Sequence, residues 1–212
     1  MAEPGSVMIG KWLVGEVFNL SLGEAVSRVM GRRAQAARDI LQEQLARAEI
    51  NIADAADKDE AAAMVFEYAE AARQGSARRN LRMLAQIIAG ELATPPIFAS
   101  EYLRWSHILA DLSRQEIIAL AKLHQVHQMP DYFVGDQKQW NEIEARVLLD
   151  LQQQGVVSTK IELHSILGAL QRTGLVVYSA GGFGGAWHLP SPRLDALLKL
   201  VDIEAALAEP DR

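Results

Sequence analysis

Apolar residues recur every three or four positions through most of the chain before residue 174, and this spacing constrains the fold more than any other feature. In the segment 27–52 the apolar set is Met30, Ala34, Ala37, Leu41, Leu45, Ala48 and Ile52. A stripe at this interval is typical of an amphipathic helix that buries one face. Hydrophobic residues make up 50% of the chain and aromatic residues only 6%, which suits closely packed helices. The sequence therefore predicts a mostly α-helical fold.

Stop and start signals divide the pattern into separate helices. The predicted helices cover residues 27–52, 61–73, 77–92, 98–112, 114–128 and 138–154, and a further one runs to 173 from a cap at Ser158 or Thr159. Gly75 is placed as a C-terminal stop. Ser113 and Glu116 have the spacing of a capping box, in which each side chain bonds the other residue's backbone amide.

The helical spacing of apolar residues ends near residue 175. Residues 175–178 and 186–189 are short β-rich runs on either side of a glycine-rich segment, 181–185, which predicts a hairpin with Phe183 at its tip. Ser191 and Pro192 then open a last helix, predicted over 193–207. From Ser113 onward the order helix, helix, helix, strand, turn, strand, helix resembles a winged helix. The chain is thus predicted to comprise a helical region, 1–112, and a winged-helix-like module, 113–212.

A winged helix that reads DNA presents basic and amide side chains from its third helix. The candidates for nucleic-acid contact here are Lys160, His164, Gln171 and Arg172. Residues 130–212 hold seven Lys and Arg against eleven Asp and Glu, a net charge of -4, and the whole chain is at -6. Binding to the phosphate backbone needs positive charge, so nucleic acid is disfavoured as a partner.

Two features indicate a protein partner instead. Arg78, Arg79 and Arg82 form the densest basic cluster and are candidates for holding an acidic partner or a phosphate; the alternative is salt bridging to acidic residues on neighbouring helices, such as Glu70. Phe183 is an aromatic residue flanked by glycines, and such a side chain contacts a partner, a second subunit or its own core.

Catalytic and metal signals are weak. His124 and His127 are spaced i, i+3, and His107 is a candidate third ligand, but no motif supplies further ligands. Glu142 and Glu144 diverge around a helix, which makes them poor partners for acid–base chemistry. No catalytic residue, cofactor or metal ligand is assigned on this basis.

The cysteine count and the length of the apolar runs bear on the cellular location of the protein. The chain has no cysteine, which excludes disulfides and thiolate metal sites, and no run approaches eighteen apolar residues. We expect a cytoplasmic protein without a membrane span.

Residues 79–92, RNLRMLAQIIAGEL, and 100–123, SEYLRWSHILADLSRQEIIALAKL, resemble the helical region of the abortive-infection alpha family of bacterial phage-defence proteins. The resemblance implies a helical protein of bacterial or prophage origin and transfers no catalytic motif; the N-terminal helices depart from that family. Together these observations predict a non-enzymatic, self-associating protein that binds another protein. The alternatives are a DNA-binding transcriptional regulator and a small metal-dependent enzyme.

Overall fold

The protein is mostly helical, as the spacing of its apolar residues predicts, and has one small antiparallel hairpin near its C-terminus. A computed structural model describes residues 24–94, 98–128, 137–180 and 186–208. The first helices are α1 (Glu24–Arg47), α2 (Lys58–Gln74), α3 (Arg78–Ala93) and α4 (Ala99–Leu109), with a short 3-10 helix at Ile52–Asp54. They are followed by α5 (Arg114–His127), α6 (Gln137–Gln153), α7 (Lys160–Gln171), β1 (Val176–Ala180), β2 (Ala186–Pro190), α8 (Pro192–Leu200) and α9 (Ile203–Leu207).

Local capping signals place several helix ends where the sequence predicts them. Ser113 and Glu116 form the predicted capping box at the start of α5. Thr159 forms a second box with Glu162 at the start of α7, so Thr159 rather than Ser158 is the cap. Gly75 ends α2 with a φ of 99°, in the left-handed region that glycine adopts without a steric penalty.

Three predicted helices are wrong at their ends, and one of them, predicted over 98–112, ends at Leu109. The first helix stops at Arg47 instead of 52, because the chain turns at Glu49, whose φ is 56°, and the Ile50 amide bonds the Leu45 carbonyl. The last segment forms two helices instead of one, since Asp202 is extended and its side chain caps a new helix at the Ala205 amide.

The chain divides by internal contacts into two units. The first comprises Met1–Asp111 and Leu200–Arg212, and the second comprises Leu112–Lys199. The unit boundary at residue 112 lies beside the predicted one, whereas residues 200–212 group with the first unit. None of the helices in the described residues is both long and apolar enough to cross a membrane.

Helix α3 lies at the centre of the packing in the first unit, against α1, α2, α4 and α9. Several polar contacts within this unit join helices, and two of them involve α1. The Tyr68 hydroxyl donates to the Ala37 carbonyl at 2.8 Å, which joins α2 to α1. The Arg82 guanidinium donates through both terminal nitrogens to Glu43, at 3.2 and 3.1 Å, which joins α3 to α1.

The second unit packs α5 against α6 and α7, with the hairpin alongside: β2 contacts α5 and α6, and β1 contacts α7. Its core consists of the inward-facing residues of these elements, among them Ile117, Leu120, Val147, Leu167 and Leu197. In the hairpin Tyr178 pairs with His188 and Ser179 with Trp187. The Trp187 indole donates to the Asn141 side chain at 3.0 Å, so the hairpin is tied to α6 next to the residues of the candidate site.

Candidate metal centre

Three side chains from three different elements of the second unit converge. Glu144 on α6, His164 on α7 and His188 on β2 each offer one ligand-type atom, and these atoms lie within 4.8 Å of one another. Among the side chains that the structure describes, this is the one set of three that is close enough for a single ion. A carboxylate and two imidazoles form a donor set that transition-metal ions bind readily.

The packing of each element determines where its ligand side chain lies. Glu144 follows the buried Ile143 on α6 and its side chain is only 11% exposed. His164 follows the buried Leu163 on α7, so it lies at the edge of the helix's apolar face. His188 is 9% exposed and lies in β2. Each ligand is therefore next to, or within, the core of the unit, where its backbone is held in place.

One oxygen of Glu144 carries most of the polar contacts in the cluster. Its Oε1 atom lies 2.5 Å from Nε2 of His164 and 2.9 Å from Nζ of Lys160, and it accepts hydrogen bonds from both. Burial raises the pKa of this carboxyl, but the bonds from His164 and Lys160 outweigh that effect, so the pKa lies below its ordinary value. Glu144 is therefore ionised at neutral pH, as a metal ligand must be.

His188 is the most buried of the three ligands. Burial is the main cause that lowers the pKa of its imidazole, and the neighbouring His164 lowers it further, so the ring is neutral at pH 7. Its Nδ1 atom is buried and has no hydrogen-bond partner among the described residues. Buried polar atoms are nearly always bonded, so an imidazole nitrogen in this condition indicates a place for a further group.

Two ring contacts hold this imidazole. The ring of Tyr178 packs edge-on against His188 with centroids 5.6 Å apart, and the ring of His164 lies at 5.5 Å. Tyr178 is 54% exposed, so it borders the cluster on the solvent side.

The geometry indicates how an ion would enter. Two zinc ligands at about 2.0–2.1 Å from the ion, in tetrahedral geometry, are roughly 3.4 Å apart. The 2.5 Å separation of the Glu144 and His164 ligand atoms is shorter, because these two atoms form a hydrogen bond with each other. A divalent ion would take the place of this hydrogen bond and of the Lys160 ammonium, with a small outward rotation of both ligands, and the proton of the His164 ring would then be carried by its other nitrogen, Nδ1.

The residues predicted to contact nucleic acid are mostly bonded to acidic groups. Lys160 and His164 both contact Glu144. Arg172, which is exposed, lies 3.5 Å from the Glu116 carboxylate, and Gln171 is exposed as well. The positive charges on and beside α7 are thus largely neutralised within the unit.

The histidines predicted as an alternative metal set occupy other places. His107 belongs to the first unit, where it is exposed. His124 and His127 belong to the second unit, and Nδ1 of His124 lies 3.2 Å from Asp195. Burial is the main cause that lowers the pKa of His127. These residues do not supply the set of three described above.

The predicted partner-binding arginines differ in exposure. Arg82 is 5% exposed and bonded to Glu43, a partner that the sequence did not indicate. Arg78 and Arg79 are half-buried near the start of α3. The neighbouring Arg73 pairs with Glu70, one of the acidic residues expected for this cluster, at 2.8 Å. Phe183 lies outside the described residues.

Sequence reasoning missed the cluster because its members are 20 and 24 residues apart and carry no spacing motif. The spacing relates Glu144 only to Glu142 on its own helix. It makes His164 a candidate for nucleic-acid contact and places His188 in a strand. The available signal was that His164 and His188 fall in elements predicted to be adjacent, on a helix and in the hairpin that follows it.

No protein-family model, no curated protein and no solved structure matches this chain. The site's own geometry therefore carries the functional argument.

Proposed function

We propose that this chain is a metal-binding protein whose second unit holds a zinc-class divalent ion between Glu144, His164 and His188. The observation that carries the proposal is the convergence of their three ligand atoms within 4.8 Å of one another. The buried Nδ1 atom of His188 supports it, because an unbonded nitrogen in the core costs free energy unless a further group satisfies it.

An ion at this position would connect three elements that are already joined by side-chain packing and by hydrogen bonds. It would fix α7 and the hairpin to α6, and the free energy of binding would add to the stability of the second unit. Zinc and its neighbours in the first transition row suit two imidazoles and one carboxylate, whereas calcium and magnesium prefer oxygen ligands alone.

The direct experiment is titration of the metal-free full-length chain with cobalt and zinc. We expect one ion per chain, a cobalt absorption band typical of low coordination number, and displacement of cobalt by zinc. At free zinc one hundred times the dissociation constant, binding would stabilise the folded protein by about 2.7 kcal/mol, seen as a higher melting temperature that a chelator reverses.

Variants separate this site from other histidines. His188→Ala and Glu144→Gln should each weaken metal binding by about 100-fold or more, since the loss of a direct ligand exceeds the 10–100-fold effect typical of outer-shell partners. His107→Gln is the matched control, because it removes an exposed imidazole in the first unit. An unchanged affinity in His188→Ala, or equal losses in both histidine variants, would contradict the proposal.

The functions predicted from the sequence remain predictions alongside the proposed metal binding. A non-enzymatic protein that binds a partner or a second copy of itself is compatible with a metal site, and light scattering with and without zinc would give the subunit count. A DNA-binding role is less favoured, because Lys160 and Arg172 already pair with Glu144 and Glu116. A DNA-binding measurement across salt concentrations would test it.

A further inference from the structure

Lys160 is the one basic residue in contact with the cluster among the described side chains, and its position bears on what the site binds besides an ion. Its Nζ atom lies 2.9 Å from the Glu144 oxygen that also bonds His164. Its side chain is 61% exposed, whereas that of Glu144 is 11% exposed. Lys160 and His164 are four residues apart on α7, so they lie on the same face of the helix.

The formal charge of the cluster changes when an ion binds. Without an ion, the negative charge of the Glu144 carboxylate and the positive charge of the Lys160 ammonium cancel. A divalent ion raises the sum to two positive charges. Because Glu144 and His188 are largely buried, water screens this excess incompletely, and an anion at the same place becomes favourable.

The ion also leaves a position for that anion. Three protein ligands occupy three of the four positions around a tetrahedral ion, and the fourth is open to water or another ligand. Lys160, displaced from Glu144, stays within reach of the cluster because the buried Leu163 and Leu167 fix the helix that carries it. An ion and an ammonium would then face the same small volume.

We propose that the metal-loaded site binds a phosphate group, with one oxygen on the ion and another accepting a hydrogen bond from Lys160. This inference rests on the proposed metal site. A phosphate group carries about -1.5 to -2 charges at pH 7, which balances the two positive charges, whereas a carboxylate would leave one uncompensated. The exposed ring of Tyr178 borders the cluster and offers an apolar surface to the organic part of a phosphate monoester.

The test uses the full chain loaded with one cobalt ion, with loading confirmed by metal analysis and excess ion removed. Inorganic phosphate, phenyl phosphate and acetate are then titrated at constant ionic strength, with cobalt absorption and calorimetry as readouts. We expect both phosphates to bind the loaded protein, to bind the metal-free protein at least tenfold more weakly, and to bind more tightly than acetate. Tighter binding of phenyl phosphate would assign monoesters as the source, and equal binding would assign the free ion; both support the inference.

Variants of Lys160 test its role in phosphate binding. Lys160→Met should weaken phosphate binding to the loaded protein by about tenfold or more, the range expected for losing a hydrogen bond to a charged group. Lys160→Arg should retain most of the affinity because the positive charge remains. Lys199→Met, the same substitution at an exposed position of α8, is the matched control.

The outcomes separate the two proposals. If the wild-type chain binds no cobalt, both the metal site and this inference are wrong. If it binds cobalt but phosphate binds equally with and without the ion, or acetate binds as tightly as phosphate, only this inference is overturned. The same holds if Lys160→Met binds phosphate as the wild type does.

Discussion

Glu43 contacts two arginines that differ sharply in burial, and this difference yields a quantitative prediction. The side chain of Arg82 is 6% exposed and that of Arg47 is 60% exposed, while Glu43 itself is 40% exposed. Glu43→Gln keeps the shape of the side chain and removes its charge. The buried guanidinium then loses a charged partner, whereas the exposed one is solvated by water.

The magnitude follows from the burial of each partner. Removing one member of a fully buried ion pair costs about 3–5 kcal/mol, and exposed pairs contribute about 0.2–1 kcal/mol. Because water reaches Glu43, we expect Glu43→Gln to lower the free energy of unfolding by about 2 kcal/mol. Arg47→Met, which removes only the exposed pair, should cost less than about 0.5 kcal/mol.

Urea denaturation followed by circular dichroism would measure both variants. With a slope of about 2 kcal/mol per M, the midpoint of Glu43→Gln should fall by about 1 M at pH 7 with the slope unchanged. The hydrogen bond from Arg82 is the largest cause that lowers the pKa of Glu43. The carboxylate's contribution is therefore complete above its unfolded pKa of about 4.3 and is lost as pH falls through the lower folded pKa.

The difference between wild type and Glu43→Gln should accordingly be constant from neutral pH to about pH 5 and shrink below about pH 4. Equal losses in Glu43→Gln and Arg47→Met would refute the argument from burial. If the difference in the free energy of unfolding between wild type and Glu43→Gln persists at acidic pH, Glu43 acts through its shape and not through its charge.

Three further predictions concern single positions, each measured as a change in the free energy of unfolding. Gly75→Ala should cost about 1–3 kcal/mol because its φ of 99° is strained for alanine, whereas Gly31→Ala, in α1 with no atom within 4 Å of the added Cβ, should stabilise by up to about 1 kcal/mol; two changes of the same sign would contradict this. Ser113→Ala should cost about 1 kcal/mol by removing the cap of α5, and a neutral result would mean that the capping bond adds nothing. Tyr68→Phe should cost about 1 kcal/mol through its buried hydroxyl bond, so an unchanged stability would exclude a net contribution from it.

The sequence predicts those parts of the fold that depend on neighbours along the chain. The apolar stripes of the helices, the helix end at Gly75 and the capping box at Ser113 each depend on residues only a few positions apart. These predictions are confirmed. The break near Asp202 was not predicted because the apolar spacing continues through it. Aspartate is acceptable on a helix surface; besides its cap at the Ala205 amide, the turn is held by the contact between the Asp202 amide and Gln86, 116 residues away.

The candidate site illustrates the same limit more strongly. Each of Glu144, His164 and His188 has an ordinary local explanation, as a surface acid, a helix residue and a strand residue. Their significance arises from the packing of α6, α7 and β2, which the spacing of residues within one element does not specify. Charge totals disfavour nucleic-acid binding by α7, and this stays a prediction; they do not identify Glu144 and Glu116 as the acidic partners of Lys160 and Arg172.

The first unit consists of two separate segments of the chain, and this has a consequence for its synthesis on the ribosome. Residues 112–199 are inserted between its two parts, and Ile203 and Ala206, which are buried, belong to α9, the helix that packs on α3. At about 5–20 residues per second, the ribosome needs roughly 4–18 s to make the inserted segment. Throughout that interval the surface of α3 that α9 covers stays exposed while the second unit is already emerging. The unit that begins first is therefore finished last, and a chaperone would encounter it with that surface open.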